Sequence, residues 1–450
     1  MEHTVVLSGA VEVANALVEY IALRRAAPGA VFQSTRRNEG GVKSGYGPRW
    51  DRTGPLSIRL QTVWRAPYAD PFLQVYNTHG EAGGPRTVSR YPGAVRTEET
   101  LMPKINGKYR FSYGPWNIDE GSDPFGPEVR KPIAMAKKFK AAKAMGFQGI
   151  QFHDDDVVPN LDNKSHAQIM KEARAVKRAL DSEGLKAEFV APRLWFAPQT
   201  IDGAYTSNNP RDRKYAIDRT KVAIDIKNAI EAQNMVMWLA REGTYIREAK
   251  NARTQVLQIV EAFNLFLEYD PKLRILVEPK PNEPVDSAII STIGHAIGLG
   301  YMTCDPARVG VLVETAHSIL AGLDPSDDMG YALAHDKLWS VHLNDQGGLK
   351  FDQDKSFGSY NLRRAFNQVR VLEEYGYGRN GEWVGLDVKT MRTQKQNVSM
   401  KHLSNSLNTF KKLLDKVATL DRKLEAQLIK ERDYEELDRY ILCHLMGVRY

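Results

Sequence analysis

Eight strand-like segments alternate with helix-like stretches between residues 108 and 389, and this alternation restricts the fold more than any other feature of the chain. The segments are short and rich in β-branched or aromatic residues, and they span 108–114, 147–153, 186–191, 235–240, 273–279, 309–315, 338–344 and 382–389. Gly146 and Gly184 lie where the intervening helices should end. Strands that alternate with helices form parallel sheets, and eight such units close a barrel. The pattern therefore predicts an α/β fold of the (β/α)8 barrel type.

The chain on either side of the predicted barrel has a different composition. Residues 1–101 contain 11 Arg but Lys43 as their single lysine, together with 11 Gly and 7 Pro and little periodic patterning. After about residue 390 the strand-like segments stop, and the remaining residues have helical patterns. We expect a poorly structured N-terminal extension over 1–101, with a helix near 9–25, then the barrel over 102–390 and a helical oligomerisation tail over 391–450. Two interpretations of 1–101 stay open. The segment is a genuine N-terminal arm, or translation begins at Met102 and the first 101 residues come from a start codon chosen too far upstream.

Charge and cysteine content restrict the function classes. The 62 Lys+Arg and 55 Asp+Glu give a net charge of +7, which divides as +3 in residues 1–101 and +4 in the remainder. This even distribution does not indicate a nucleic-acid partner. Cys304 and Cys443 are too few for a disulfide framework or a cysteine-rich zinc site. With no apolar run of 18 residues and no signal peptide, the sequence predicts a cytoplasmic protein without a membrane-spanning segment.

Polar or aromatic residues stand at the end of nearly every predicted strand. They are Trp116, His153, Trp238, Glu278 with Lys280, Glu314 with His317, His342 and Asp387. In an α/β barrel these strand ends meet at one mouth, where catalytic residues are found. A single acidic residue after a strand is usually a helix cap or a solvated loop residue. Carboxylate or imidazole groups at four consecutive strand ends point instead to a functional site.

The predicted mouth carries five carboxylates and two imidazoles. They are Glu278, Glu314, Asp352, Asp354, Asp387, His317 and His342. So many oxygen ligands suit Mg²⁺, Mn²⁺ or Co²⁺ better than a structural zinc. Seven ligands exceed the needs of one ion, and a shared glutamate could bridge two.

Two further groups have both a chemical and a structural interpretation. Glu278 and Lys280 are two residues apart on a strand and share one face, either as part of the site or as a structural ion pair. In FHDDD, His153 with Asp156 is either an oriented acid/base pair or an exposed loop histidine before a run of helix caps.

Several of these motifs together resemble the xylose isomerase family. FHDDDVVP, VEPKPNEP, ETAH followed by AGL, GGLKFDQD, and FSYGPW followed by DPFG occur in the family's order. The resemblance runs from about residue 104 to 396 and covers none of 1–101. It implies a metal-dependent (β/α)8 barrel that interconverts an aldose and its ketose.

The resemblance also assigns roles to individual residues. His153, supported by Asp156, would open the sugar ring, and Lys280 would bind O1 while a hydride moves between C2 and C1. Two divalent metal ions are implied, a structural one held by Glu278, Glu314, residue 342 and Asp387, and a catalytic one held by Glu314, His317, Asp352 and Asp354. Trp116 and Trp238 would form the wall of the site. Phe125 would come from a neighbouring subunit, which implies a homo-oligomer, a dimer or tetramer.

Two departures from the family leave the sugar open. His342 stands where the family has an Asp, and this exchange removes a negative charge and softens the site. Phe196 lies near the place of a sugar-binding Thr, and Tyr205 replaces a Phe. We expect a D-xylose–D-xylulose isomerase, or alternatively a related isomerase for rhamnose or a hexose. A barrel metallo-endonuclease and a sugar-binding protein without catalysis are weaker alternatives, because the site is mostly carboxylate and its ligand set is complete.

Overall fold

The computed structural model describes residues 60–62, 73–75, 109–119 and 125–450. Within the first 101 residues it gives one short antiparallel pair, formed by Leu60–Thr62 and Leu73–Val75. The expected helix near 9–25 and the expected low order of 1–101 lie outside the described residues.

Eight parallel strands form a closed barrel in which each strand pairs with the next one in the chain. The barrel strands are β1 Arg110–Tyr113, β2 Gly149–His153, β3 Lys186–Ala191, β4 Asn234–Trp238, β5 Ile275–Glu278, β6 Val309–Glu314, β7 Leu338–His342 and β8 Trp383–Leu386. Pairing of β8 with β1 closes the barrel, with Leu386 opposite Tyr113. The predicted (β/α)8 fold is confirmed, and every predicted strand overlaps an observed one.

Helices connect the strands. The α-helices are Trp116–Asp119, Met135–Met145, Asp154–Val157, His166–Glu183, Pro210–Ala229, Ala252–Tyr269, Ile293–Tyr301, Thr315–Leu320, Pro325–Ala334, Leu362–Glu374, Lys401–Ala418, Arg422–Glu431 and Tyr434–Met446. The short 3-10 helices are Leu161–Asn163, Pro198–Thr200, Arg247–Ala249, Pro306–Arg308 and Gln396–Val398. A two-stranded antiparallel ribbon joins Gly243–Thr244 with Ser287–Ala288, and so links the loops after β4 and β5.

The predicted ends of the first two long helices are also confirmed. Gly146 has φ 89° and Gly184 has φ 70°, and both residues cap the preceding helix in the left-handed conformation that favours glycine. Helix His166–Glu183 begins with a capping box between Ser165 and Gln168.

Apolar side chains fill the barrel beneath the mouth. Phe189, Val236, Leu276 and Leu312 are almost fully buried and form a cluster separate from the main core. Leu276 and Leu312 precede Glu278 and Glu314 by two residues, so each shares its strand face with one of these carboxylates. The polar groups of the site therefore stand on a packed layer and not on an open channel.

The first helix of the C-terminal segment packs on the barrel of its own chain. In helix Lys401–Ala418, one face is buried and consists of Leu403, Ser406, Leu407, Phe410, Leu413 and Val417. The Phe410 ring lies edge-on to Tyr109 and Phe111 at the start of β1, at 5.1 and 5.2 Å. None of the helices in the described part of the chain is long and apolar enough to cross a membrane.

Candidate active site

The strand register places the predicted metal ligands side by side at the carboxyl end of the barrel. Glu314 on β6 lies opposite His342 on β7, and Glu278 on β5 lies opposite Trp238 on β4. Glu314 and His342 are 3% and 1% exposed, so both side chains are withdrawn from solvent. Isolated charges at such depth are costly, and they persist when they are paired or bind a metal.

Glu314 occupies the centre of the site. Its Oε1 lies 3.3 Å from Nε2 of His317, and its Oε2 lies 3.3 Å from Nδ1 of His342. Among the described residues, four groups of His, Asp and Glu side chains have ligand atoms that all lie within 4.8 Å of one another, and Glu314 belongs to three of them. One carboxylate oxygen therefore faces each of two neighbouring ligand sets, which is the geometry of a bridging ligand.

The first ligand set lies on the β7 and β8 side of Glu314. Nδ1 of His342 is 3.8 Å from Oε1 of Glu278 and 3.8 Å from Oδ2 of Asp387. The structure thus brings together the four residues that the sequence analysis assigned to one metal, with His342 in the middle of the three carboxylates.

The second ligand set lies on the side of the loop after β7. Nε2 of His317 is 3.1 Å from Oδ2 of Asp352, and ligand oxygens of Glu314, Asp352 and Asp354 lie within 4.8 Å of one another. Glu278 borders this set as well, because its Oε1 is 3.7 Å from Nδ1 of His317. The Asp-x-Asp loop therefore reaches back to the carboxylates at the strand ends.

Divalent cations fit these two sets on electrostatic grounds. Burial, reinforced by the Glu314 carboxylate, raises the pKa of Glu278 well above its ordinary value. Burial and the Asp352 carboxylate raise the pKa of Asp354 in the same way. Several buried polar atoms at the site have no hydrogen-bond partner within the described residues: Nδ1 of His317, Nε2 of His342 and Oδ1 of Asp352. An excess of negative charge beside unused ligand atoms is what a bound metal would correct.

Three residues that the sequence analysis missed orient these carboxylates. Asn344 donates from Nδ2 to Glu314 at 3.0 Å and to Asp354 at 2.9 Å. Lys389 Nζ lies 2.5 Å from Oδ2 of Asp354, and Asn117 donates to Asp387 at 2.6 Å. Asn344 follows His342 by two residues and Lys389 follows Asp387 by two, so strand alternation was the signal that could have identified both.

Lys280 points into the site beside the second ligand set. Its Nζ lies 2.9 Å from Oδ2 of Asp352 and 3.2 Å from Oε2 of Glu283, and the side chain is 7% exposed. The Nζ also lies 5.3 Å from the centre of the Trp238 ring. Burial opposes the charged form, but the Asp352 carboxylate outweighs it and raises the pKa of Lys280 above its ordinary value. The residue is a fixed cation at this side of the site.

His153 and Asp156 form a hydrogen-bonded pair at the end of β2. The distance from Nδ1 of His153 to Oδ2 of Asp156 is 2.9 Å, and the same oxygen accepts from the His153 backbone N–H. Burial would raise the pKa of Asp156, but the charge and hydrogen bonds of His153 outweigh it and hold the pKa below its ordinary value. The carboxylate is thus available to orient the imidazole.

Three tryptophans line the space between this pair and the ligand sets. The His153 ring lies 4.2 Å from Trp116 and 5.2 Å from Trp195, and Trp195 lies 4.4 Å from Trp238, all measured between ring centres. Trp116 also donates from Nε1 to Asp387 at 2.9 Å. Trp195 was missed, because the residue order in the loop after β3 does not show which of two adjacent aromatic residues turns inward.

Two of the predicted substrate-binding residues, Phe196 and Tyr205, are not brought to this space, and Phe125 was predicted to reach the site of a neighbouring chain. Phe196 is 70% exposed beside Trp195, and Phe125 is 72% exposed with its ring 5.4 Å from that of Phe351. Tyr205 is buried, but its hydroxyl bonds Thr220 at 2.7 Å on helix Pro210–Ala229. Within one chain, the inner wall is therefore built by the tryptophans.

Comparison with known proteins gives the same architecture. Residues 139–397 match the family described as xylose isomerase-like TIM barrel. A xylose isomerase of Thermus thermophilus is 34% identical over 276 residues, which cover 60% of this chain and 70% of the relative.

One solved structure is similar in fold, and a second matches with a lower score. A crystal structure of D-psicose 3-epimerase in the presence of D-fructose has a TM-score of 0.51 and 11% identity, and the match covers 68% of this chain and 99% of that one. The apo 3-keto-D-glucoside 4-epimerase of E. coli has a TM-score of 0.49 and 14% identity, with coverage of 68% and 100%.

Proposed function

The chain belongs to the xylose isomerase-like TIM barrel family, and from this premise we propose that it is a metal-dependent isomerase that interconverts D-xylose and D-xylulose. The family contains sugar isomerases and epimerases, which makes a small sugar the expected substrate. One observation carries the proposal: seven ligand side chains form two sets that share Glu314, with Lys280 beside one of them.

Each ligand set would hold one divalent ion, Mg²⁺, Mn²⁺ or Co²⁺. The first ion would be held by Glu278, Glu314, His342 and Asp387, and the second by Glu314, His317, Asp352 and Asp354. When bound, the ions would supply Lewis-acid stabilisation of the charge that develops on the sugar oxygens.

The remaining chemistry is assigned to side chains of the chain itself. His153, oriented by Asp156, moves a proton between O1 and O5 of the sugar and so opens the ring. Lys280 donates a hydrogen bond to O1. The tryptophan wall of Trp116, Trp195 and Trp238 excludes water, so that the hydrogen at C2 passes to C1 within the sugar.

A turnover assay tests this proposal. We expect the Mg²⁺-, Mn²⁺- or Co²⁺-loaded protein to convert D-xylose to D-xylulose, and EDTA to abolish the conversion. Lys280→Met should lower kcat by about 100-fold or more, since it removes a donor aimed at developing charge. Lys140→Met, on the exposed face of helix Met135–Met145, is the matched control and should behave like the wild type. If the metal-loaded protein converts no aldose at all, or if Lys280→Met is fully active, the proposal is contradicted.

A second candidate is an isomerase of the same barrel type for another sugar. It is favoured by His342, which is buried among the ligands where the family has an aspartate, and by Trp195, which faces His153. A panel of D-xylose, L-rhamnose, D-glucose and D-ribose separates the two candidates by kcat/KM. The first requires D-xylose to rank highest, and the second requires L-rhamnose or a hexose to do so.

The assembly belongs to the proposal as well. A dimer or tetramer would cover the exposed Phe125 with a neighbouring chain and would use the C-terminal helices as contacts. Light scattering of the purified protein measures the assembly directly, and a monomer would remove this part of the proposal.

A further inference from the structure

The His153–Asp156 pair has a third partner, Arg193, in the loop after β3. Nη2 of Arg193 lies 2.6 Å from Nδ1 of His153 and 3.1 Å from Oδ1 of Asp156. Nε of the same guanidinium forms an ion pair with Oδ1 of Asp155 at 2.8 Å. One side chain therefore contacts all three members of the cluster, and it is only 19% exposed.

The position of Arg193 is fixed from behind by a buried network. Its backbone N–H donates to Oδ1 of Asp154 at 3.1 Å. Asp154 is fully buried and accepts two hydrogen bonds from Arg219, at 2.7 and 3.1 Å. The bidentate pair with Arg219 fixes the Asp154 carboxylate, and the hydrogen bond from the Arg193 backbone then holds the loop after β3 against helix Asp154–Val157.

Arg193 stands where a metal could otherwise bind. Ligand atoms of His153, Asp155 and Asp156 lie within 4.8 Å of one another. The guanidinium already contacts each of these residues and offsets one of the two carboxylate charges. A cation of the chain itself therefore already occupies this third acidic cluster at the mouth.

The two neighbours of His153 Nδ1 act in opposite directions. The Asp156 carboxylate at 2.9 Å favours a protonated ring, whereas the guanidinium at 2.6 Å carries the same charge as an imidazolium and opposes it. Arginine has no acceptor, so it cannot stabilise a proton on Nδ1. If Asp156 were the only charged neighbour of the ring, a proton taken from the sugar would stay on the ring, because the imidazolium would form an ion pair with the carboxylate.

We propose that Arg193 is a positioning residue for ring opening, which orients the His153–Asp156 pair and opposes protonation of the imidazole. This inference rests on the proposed function. In the neutral ring the hydrogen is carried by Nδ1 and accepted by Asp156, which leaves Nε2 of His153 free to take the proton of the O1 hydroxyl. The electrons of that O–H bond form the C1–O1 double bond. The C1–O5 bond breaks with its electrons on O5, and O5 takes the proton back from Nε2. No other reactant is needed. Arg193 favours the transfer of the proton from Nε2 to O5, because it opposes the charged form of the imidazole.

An NMR titration tests the charge effect without relying on turnover. Among the described residues, two charged groups contact His153, namely Asp156 and Arg193. Asp155 forms an ion pair with Arg193, and the adjacent rings of Trp116 and Trp195 are uncharged. The sample is the Mg²⁺-loaded full chain labelled at histidine nitrogens, with His153 assigned by His153→Asn.

Arg193→Met should raise the titration midpoint of His153 by about one pH unit, because it removes a cation that repels the imidazolium. Arg193→Lys keeps the charge and should leave the midpoint near that of the wild type. The exposed Arg211→Met is the control and should change nothing. An unchanged or lowered midpoint in Arg193→Met, or a rise as large in Arg193→Lys, would overturn the inference.

A kinetic comparison separates ring opening from the hydride shift. D-glyceraldehyde has too few carbons to form a sugar ring, so its isomerisation does not need the proton transfer from O1 to O5. Below both midpoints, Arg193→Met should lower kcat/KM for D-xylose about tenfold and move its acidic limb upward by about one pH unit, with D-glyceraldehyde unaffected. Equal losses on both substrates, or no loss on D-xylose, would overturn the assignment. If the wild type converts neither substrate, the proposed function fails, and the NMR titration still decides what Arg193 does to His153.

Discussion

At the scale of single residues, the site depends on side chains whose partners lie on other strands. Glu314 joins both ligand sets, and Asn344 fixes its orientation through a hydrogen bond to Oε1. The clustering of the proposed ligands was predictable, because they follow buried strands at positions that a barrel brings together. Arg193 and Trp195 were not, since their orientation depends on the path of the loop after β3, and sequence spacing does not determine that path.

Glu314→Gln should weaken metal binding in both sets, because the amide loses the negative charge that faces each of them. Asp387→Asn should weaken only the set that contains His342. Isothermal titration with Mn²⁺ measures both effects, and we expect losses of tenfold or more in affinity. If Glu314→Gln and Asp387→Asn weaken Mn²⁺ binding in the same set and to the same extent, the bridging role of Glu314 is contradicted.

His342→Asp should change which metal is preferred. Imidazole is a softer ligand than carboxylate, so the wild type should favour Co²⁺ or Mn²⁺ over Mg²⁺, and the variant should move the preference toward Mg²⁺. The ratio of Co²⁺ to Mg²⁺ dissociation constants measures the change. A ratio unaffected by the substitution would mean that His342 is not a ligand.

At the scale of elements, the barrel strands and the C-terminal helices were predictable from periodicity, whereas the packing of those helices was not. Helix Lys401–Ala418 packs its buried face on its own barrel, and its His402 donates from Nε2 to the Asn117 carbonyl at 2.8 Å. Asn117 in turn binds Asp387. The helix therefore supports the loop after β1, a role that an amphipathic pattern alone does not reveal.

The partly buried His402 should make this support sensitive to acid. Burial lowers its pKa from 6.5 to about 4, so the unfolded chain binds more protons than the folded one below about pH 6.5. The free energy of unfolding should fall by up to about 2 kcal/mol between pH 7 and pH 5 through this residue alone. Urea denaturation at both pH values measures it, and His402→Gln should show a correspondingly smaller pH dependence. An identical dependence in the variant would assign the acid sensitivity to other groups.

At the scale of the whole molecule, the chain combines a barrel of the xylose isomerase-like TIM barrel family with a segment of 101 residues that has a different composition. All proposed site residues lie between Trp116 and Lys389, and the family match covers 139–397. The barrel was predictable because eight periodic units leave few alternatives. The substrate was not, because discrimination among sugars depends on contacts of a few atoms in the loops.

A chain that begins at Met102 should therefore fold and keep the activity of the full chain. Its kcat/KM should agree within about twofold and its Tm within about 4 °C, since a larger shift would correspond to roughly 1–2 kcal/mol of lost stability. Turnover assays and thermal unfolding of both proteins measure this. A large loss in either quantity would show that residues 1–101 contribute to the barrel.

The fate of a deuterium label tests the central claim most directly, namely that a metal-dependent isomerase site moves a hydride between C2 and C1. The metal-loaded protein is incubated with D-xylose deuterated at C2, and the product is examined by NMR. We predict D-xylulose that carries the deuterium at C1, with no product in EDTA. Loss of the label to water, an epimer in place of D-xylulose, or no product with any of the three metals would contradict the account.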